Sequence, residues 1–198
     1  MDQKSREFPV FPSVSGPFSA EQLARLLATA RELCPRYYPL FLTLARSGCR
    51  PGEALALRWL DVNFQSREIL IERALSAGRI GATKTGRSRR ADMSRELAAV
   101  LSRLRKETKA PAGWIFLSRE GGLINEDWPR RVFAKVLKRA QLSGHTPYDL
   151  RHTFATLHLA RVIPSPMSAR SSVTPTPAPR CAGTPTGCRP VTSGSPTP

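Results

Sequence analysis

Ser47-Gly48-Cys49-Arg50-Pro51-Gly52-Glu53-Ala54-Leu55-Ala56-Leu57-Arg58-Trp59 is the stretch on which the fold turns. Gly48 sits where a left-handed helix cap favours a residue without a β-carbon, and Pro51 suits the first position of a new helix, where no amide hydrogen bond is lost. The chain therefore closes one helix and opens another within a few residues. Ala54, Leu55 and Leu57 carry an apolar face on to Trp59 before Asp61 and Asn63 break it, so this helix is expected over residues 51–59. Arg50 just precedes it and faces the positive end of the helix dipole. A cation there is unfavourable by about 0.3–1 kcal/mol unless an anion lies nearby. The local alternative is an ion pair with Glu53.

Upstream, Ser19 and Gln22 form a capping box, Phe18 and Leu23 suit a hydrophobic staple, and Leu23, Leu26, Leu27, Ala30 and Leu33 share one face. A helix is expected over Ala20–Leu33 and a second over residues 36–47, with Leu40, Phe41 and Leu44 inward. Downstream, residues 67–74 are rich in Ile and Leu, Gly78 and Gly86 mark turns, and residues 89–93 read as a further strand. Ser94 caps a helix to about residue 106, a short strand is expected at 114–117, and Gly121-Gly122 makes a loop. A basic helix follows over residues 127–141. The last helix opens at Pro147 and runs to about Ala160, with Arg151 in its first turns, so Arg151 repeats the placement of Arg50. Two guanidinium forks beside helix starts suit one phosphodiester; the local alternative for Arg151 is a pair with Asp149 or an ordinary surface position.

Lys and Arg number 31 against 15 Asp and Glu, giving a formal charge of +16 and a polyanion as the expected partner. No stretch approaches 18 consecutive apolar residues, and the charged start lacks the apolar run of a secretion signal, so a cytoplasmic protein without a membrane span is expected. Cys34, Cys49, Cys181 and Cys188 form no CxxC pair and have no matching histidine spacing, which indicates reduced thiols and no metal site.

The quoted segment resembles the first arginine motif of tyrosine recombinases of the phage integrase type, Gly-x-Arg-x-x-Glu followed by Leu-x-Leu-x-Trp. Thr146-Pro147-Tyr148-Asp149-Leu150-Arg151-His152-Thr153-Phe154-Ala155-Thr156 resembles the second, and Thr83-Lys84-Thr85-Gly86-Arg87-Ser88-Arg89-Arg90 looks like the hairpin that carries the family's lysine. The three motifs stand in the family's order. The resemblance implies an α+β fold, mainly α-helical with a small antiparallel sheet, over residues 18–160, after a flexible segment 1–17. It also implies double-stranded DNA as partner, possible homo-oligomers on DNA, and strand transfer through a 3′-phosphotyrosine with no metal or nucleotide cofactor. Arg50 and Arg151 would then grip the non-bridging oxygens, Lys84 would protonate the leaving 5′-oxygen, and Glu53 would orient the first arginine. Tyr148 occupies the position where the family usually has His or Lys. Its hydroxyl can hydrogen-bond a phosphate oxygen, but with an ordinary pKa near 10 it is a poor base.

The family's nucleophilic tyrosine lies well beyond the second arginine, whereas the tyrosines here are Tyr37, Tyr38 and Tyr148. After Ala160 the composition changes: of 38 residues nine are Pro and twelve Ser or Thr, with no Leu, Lys, Asp, Glu or aromatic residue. Such a segment cannot build a core and is expected to be disordered. The switch in mid-helix has the pattern of a shifted reading frame. A front segment of 17 residues is also too short for the family's core-binding domain. Three readings follow: a recombinase fragment that holds DNA without cleaving it, a non-catalytic DNA-binding protein derived from a recombinase, and an enzyme completed by a tyrosine from another subunit.

Overall fold

The computed structural model describes residues 16–108, 113–118, 120–125 and 127–162, with side chains as far as residue 159. The expected tail and most of the expected flexible front lie outside these residues, as do Cys181 and Cys188. The elements are α1 (Ala20–Leu33), α2 (Tyr38–Ser47), α3 (Pro51–Leu55), a 3-10 turn (Trp59–Asp61), β1 (Val62–Asn63), β2 (Glu68–Ile71), β3 (Arg73–Ser76), β4 (Arg79–Ala82), β5 (Arg89–Asp92), α4 (Arg95–Glu107), α5 (Asp127–Arg139) and α6 (Asp149–Val162). This is the mainly helical α+β architecture that the motifs imply.

The central element is α2. Pro39 through Ala45 are all buried, so the helix is apolar on every side and is wrapped by α1, α3, α4 and α6. Its start at Tyr38, two residues later than the sequence suggests, places Pro39 in the first turn, where its missing N–H costs nothing. It ends on Gly48 at φ +63°, the left-handed cap the sequence requires. A β-carbon there would come within 2.4 Å of the Phe154 ring of α6, so the position excludes a side chain twice over. The capping box at α1 is formed, with Gln22 N 3.1 Å from Ser19 Oγ and Ser19 N 2.9 Å from Gln22 Oε1.

Several expected boundaries are corrected. The helix from Pro51 stops at Leu55 rather than Trp59, because the chain beyond it pairs with residues distant in sequence. Trp59 N donates to the Gly113 carbonyl at 3.1 Å, and Ile115 N to the Leu57 carbonyl at 2.9 Å. Residues 114–117 are accordingly held by isolated bridges, Arg58 to Trp114 and Leu117 to Leu123, and form no strand.

The apolar run at 67–74 divides at Glu72 into two strands of different sheets. β2 is central in an antiparallel β1-β2-β5 sheet, while β3 pairs with β4 in a hairpin turned at Ala77 and Gly78. Ile69 and Ile71 point inward from β2 and Leu75 from β3. Arg73, on the same parity, ends on Asp61 at 2.5 Å and Glu72 at 2.6 Å.

The last helix begins at Asp149 rather than Pro147, since Asp149 Oδ2 accepts the Thr146 amide at 2.7 Å and Pro147 and Tyr148 form the entering turn. α5 ends at Arg139, not Gln141. Gln141 takes a left-handed φ of +55° and Leu142 N donates to the Leu137 carbonyl at 2.9 Å, which closes the helix and buries Leu142. Phe18 ties the start of the domain to α6, donating from its amide to Thr153 Oγ1 at 2.8 Å and stacking on His145.

Candidate functional site

Glu53 organises the site. Its side chain is 1% exposed, yet it is a charged residue, and four donors converge on it. Oε1 accepts Arg50 Nη1 at 2.7 Å and Arg89 Nη1 at 3.0 Å, while Oε2 accepts the Arg50 amide at 2.8 Å and Arg89 Nη2 at 2.5 Å. The carboxylate is saturated in the forked geometry that guanidinium favours. Burial alone would push the Glu53 carboxyl up, but the Arg89 fork, the Arg50 amide and the Arg50 guanidinium outweigh it and hold it down to about 2. The same contacts raise Arg89 above its ordinary value, chiefly through the hydrogen bonds to Glu53.

Both alternatives for Arg50 are therefore realised together: it pairs with Glu53 and remains partly accessible, at 28%. The helix dipole acts only weakly on it, because α3 has only five residues. What offsets its charge is the carboxylate. Two guanidiniums on one carboxylate leave a net charge of +1.

Arg151 lies in the first turn of α6 and donates through Nη1 to the Gly48 carbonyl, two residues before Arg50. The expected alternative partner, Asp149, is occupied by Thr146. Among the described residues Arg151 forms no ion pair, and its guanidinium is held by a neutral carbonyl. It opens into a cleft of about 640 Å³ together with Gly48, Arg89, Arg90 and Arg46. Asp92 and Glu96 also line this cleft, Glu96 holding Arg46 at 3.0 Å, so arginines outnumber acids on its walls by four to two.

The structure does not gather every expected residue here. Tyr148 is 41% exposed, packs edge-on to His152, and lines a different cleft, between α2, α3, β3 and α5. Gly48 borders one cleft, and Pro51 and Gly52 border the other, so the segment bearing Arg50 runs between them. Gly52 is needed for this course, because a β-carbon would meet the Leu75 carbonyl of β3 at 2.3 Å. Lys84 is exposed on the turn joining β4 to β5. That turn is fixed from beneath by buried Thr83, whose carbonyl accepts Gly86 N at 2.8 Å and whose hydroxyl donates to the Arg87 carbonyl at 2.9 Å. The chain then reaches Arg89 on Glu53. The lysine turn and the arginine pair are thus joined through one short segment.

Arg89 is absent from the sequence-based site, although a signal for it exists. Strand alternation puts Arg89 and Ala91 on the half-buried face of β5, and an inward arginine needs an acid. Cys34 and Cys49 are free, and burial pushes the Cys49 thiol up to about 11, which makes it unreactive at neutral pH. Among the described residues no group of His, Cys, Asp and Glu could hold a metal ion, and no helix is long and apolar enough to cross a membrane.

The Glu53 geometry sets a pH dependence. Its folded pKa, about 2, lies below the ordinary 4.5, so its contribution is fully present above 4.5 and is lost as pH falls towards 2. A shift of that size corresponds to about 3 kcal/mol. In urea titrations the native chain should be more stable than Glu53→Gln at pH 6, and the gap should close as pH approaches 2. A gap independent of pH would contradict the ionised, paired carboxylate.

Comparison with known proteins gives a consistent result. Residues 18–166 match the Phage integrase family. The candidate integrase/recombinase y4rB of Sinorhizobium fredii is 32% identical over 177 residues, covering 77% of this chain and 54% of that protein. The XerC-like tyrosine recombinase of Caldanaerobacter subterraneus is 25% identical, covering 74% of this chain and 44% of its own length. The chain thus spans about half the length of the curated relatives it matches. Among solved structures, the Tn1549 transposon integrase in complex with a circular intermediate DNA shares the fold, with a TM-score of 0.68 at 22% identity over 79% of this chain and 57% of that one. With the motifs in order, the fold in common and the family match across most of its length, this chain belongs to the phage integrase family.

Proposed function

We propose that this chain is the phosphate-gripping part of a site-specific DNA recombinase or integrase catalytic domain. The observation that carries the proposal is a cleft lined by an arginine without an acidic partner, Arg151, beside an Arg50–Glu53–Arg89 cluster of net charge +1. Such a site attracts an anion and offers planar forks that match phosphate oxygens. The charge of +16 on the chain adds long-range attraction for duplex DNA.

In this reading Arg50 and Arg151 bind the non-bridging oxygens of one phosphodiester and stabilise the extra charge of the transition state. Lys84, on its exposed turn, supplies the proton to the departing 5′-oxygen. Tyr148 contributes at most a hydrogen bond from the side. Among the described residues that line this cleft there is no tyrosine to supply the attacking hydroxyl, and in this reading the chain holds DNA without cutting it.

Binding to a labelled duplex, followed at rising salt, tests the reading. Phosphate contacts require the affinity to fall steeply and linearly on logarithmic axes, and a flat response would overturn it.

A further inference from the structure

The Glu53 cluster has one donor more than an orienting acid needs. Arg50 is already fixed by its own amide on Oε2 and by a single Nη1 contact on Oε1. Among the described residues, its guanidinium makes no other hydrogen bond, so four of its five N–H donors remain unspent. Arg89 spends a whole fork on the same carboxylate. That division is informative, because a buried carboxylate left half satisfied would draw a fork from whichever arginine is in reach.

We propose that Arg89 is a positioning residue: by filling both oxygens of Glu53, it prevents Arg50 from forking onto that carboxylate and leaves the Arg50 guanidinium free for a DNA phosphate. The inference rests on the reading that Arg50 grips phosphate. It assigns to Arg89 a task distinct from touching DNA or from stabilising the fold in general. With Arg89 absent, Arg50 would collapse onto Glu53 and the +1 cluster would become a neutral pair.

The test is a cycle of Arg89→Ala, Glu53→Gln and the double variant, read as affinity for a labelled duplex at fixed salt. Arg89→Ala should weaken binding about tenfold. Glu53→Gln removes the competing carboxylate, so its effect on affinity should be at least about tenfold more favourable in the Arg89→Ala background than in the parent chain. Equal effects in the two backgrounds would overturn the proposal, since a direct DNA contact or a diffuse charge effect predicts equality.

A second measurement needs no DNA. Nitrogen-15 spectra of the arginine side chains should show rotation of the Arg50 guanidinium slowed in Arg89→Ala and restored in the double variant; unchanged rotation would also overturn it. If the parent chain does not bind DNA, the proposed function falls while these spectra still decide the role of Arg89. If Arg89→Ala does not fold, Arg89→Lys takes its place. Its single ammonium keeps the charge but not the fork, and the same cycle should then give a smaller coupling of the same sign.

Discussion

A nicked suicide duplex incubated with the 198-residue chain should give no protein–DNA adduct that survives denaturation. Covalent capture requires a hydroxyl within about 3–3.5 Å of the gripped phosphorus and in line with the leaving oxygen. Tyr37 and Tyr38 sit at the start of α2 and pack against the core. Burial first, and then the neighbouring Glu96, push the Tyr38 hydroxyl above its ordinary value, away from nucleophilic use. Tyr148 is exposed, but it lines the cleft on the far side of the segment bearing Arg50, whereas Arg89 and Arg151 line the other. The effect is all or nothing, so denaturing electrophoresis decides it. An adduct that disappears in Tyr148→Phe would show that the two clefts communicate and that the chain supplies its own nucleophile.

Arg151→Ala should lower duplex affinity by about 10–100-fold, the worth of a charge-assisted contact of about 1.5–3 kcal/mol. Stability should change much less. Among the described residues the Arg151 side chain gives up one hydrogen bond, to the Gly48 carbonyl, a neutral acceptor, and leaves no buried carboxylate behind. About 1 kcal/mol is expected in urea titrations. Arg151→Lys should also bind weakly, because an ammonium cannot hold the carbonyl and present a planar fork at once. Fluorescence anisotropy with the three proteins at one salt concentration gives the comparison. A loss of affinity matched by a loss of fold would place Arg151 in the architecture rather than in the grip.

Much of the fold is written in local signals. Ser19 with Gln22, Gly48, Ser94 and the turn glycines each act through a few neighbouring atoms, and each is found in its expected role. The elements that sequence misplaces are those set by distant partners. α3 stops at Leu55 because residues 57–59 pair across to 113–115, and nothing local to Leu57 announces that partner. The division of the 67–74 run at Glu72 arises from two sheets competing for one chain.

The site follows the same division. The contact of Arg50 with Glu53 is legible because the two lie three residues apart in one compact motif. The saturation of Glu53 by Arg89 depends on a strand 36 residues further along. Strand alternation could have flagged an inward arginine, but its partner is visible only once β5 is laid against β2. Tyr148 illustrates the opposite case, since its closeness to Arg151 in sequence suggests a shared site that the turn into α6 separates.

Arg50 and Arg151 are proposed to hold one phosphate together. The most direct measurement is the slope of duplex affinity against salt, on logarithmic axes, for the native chain and for the variant with both Arg50→Ala and Arg151→Ala. Each phosphate contact contributes about 0.9 to that slope, so the variant should be shallower by about 2. An unchanged slope, with affinity reduced or not, would mean that the arginines do not meet the phosphate and that DNA is held elsewhere on the basic surface.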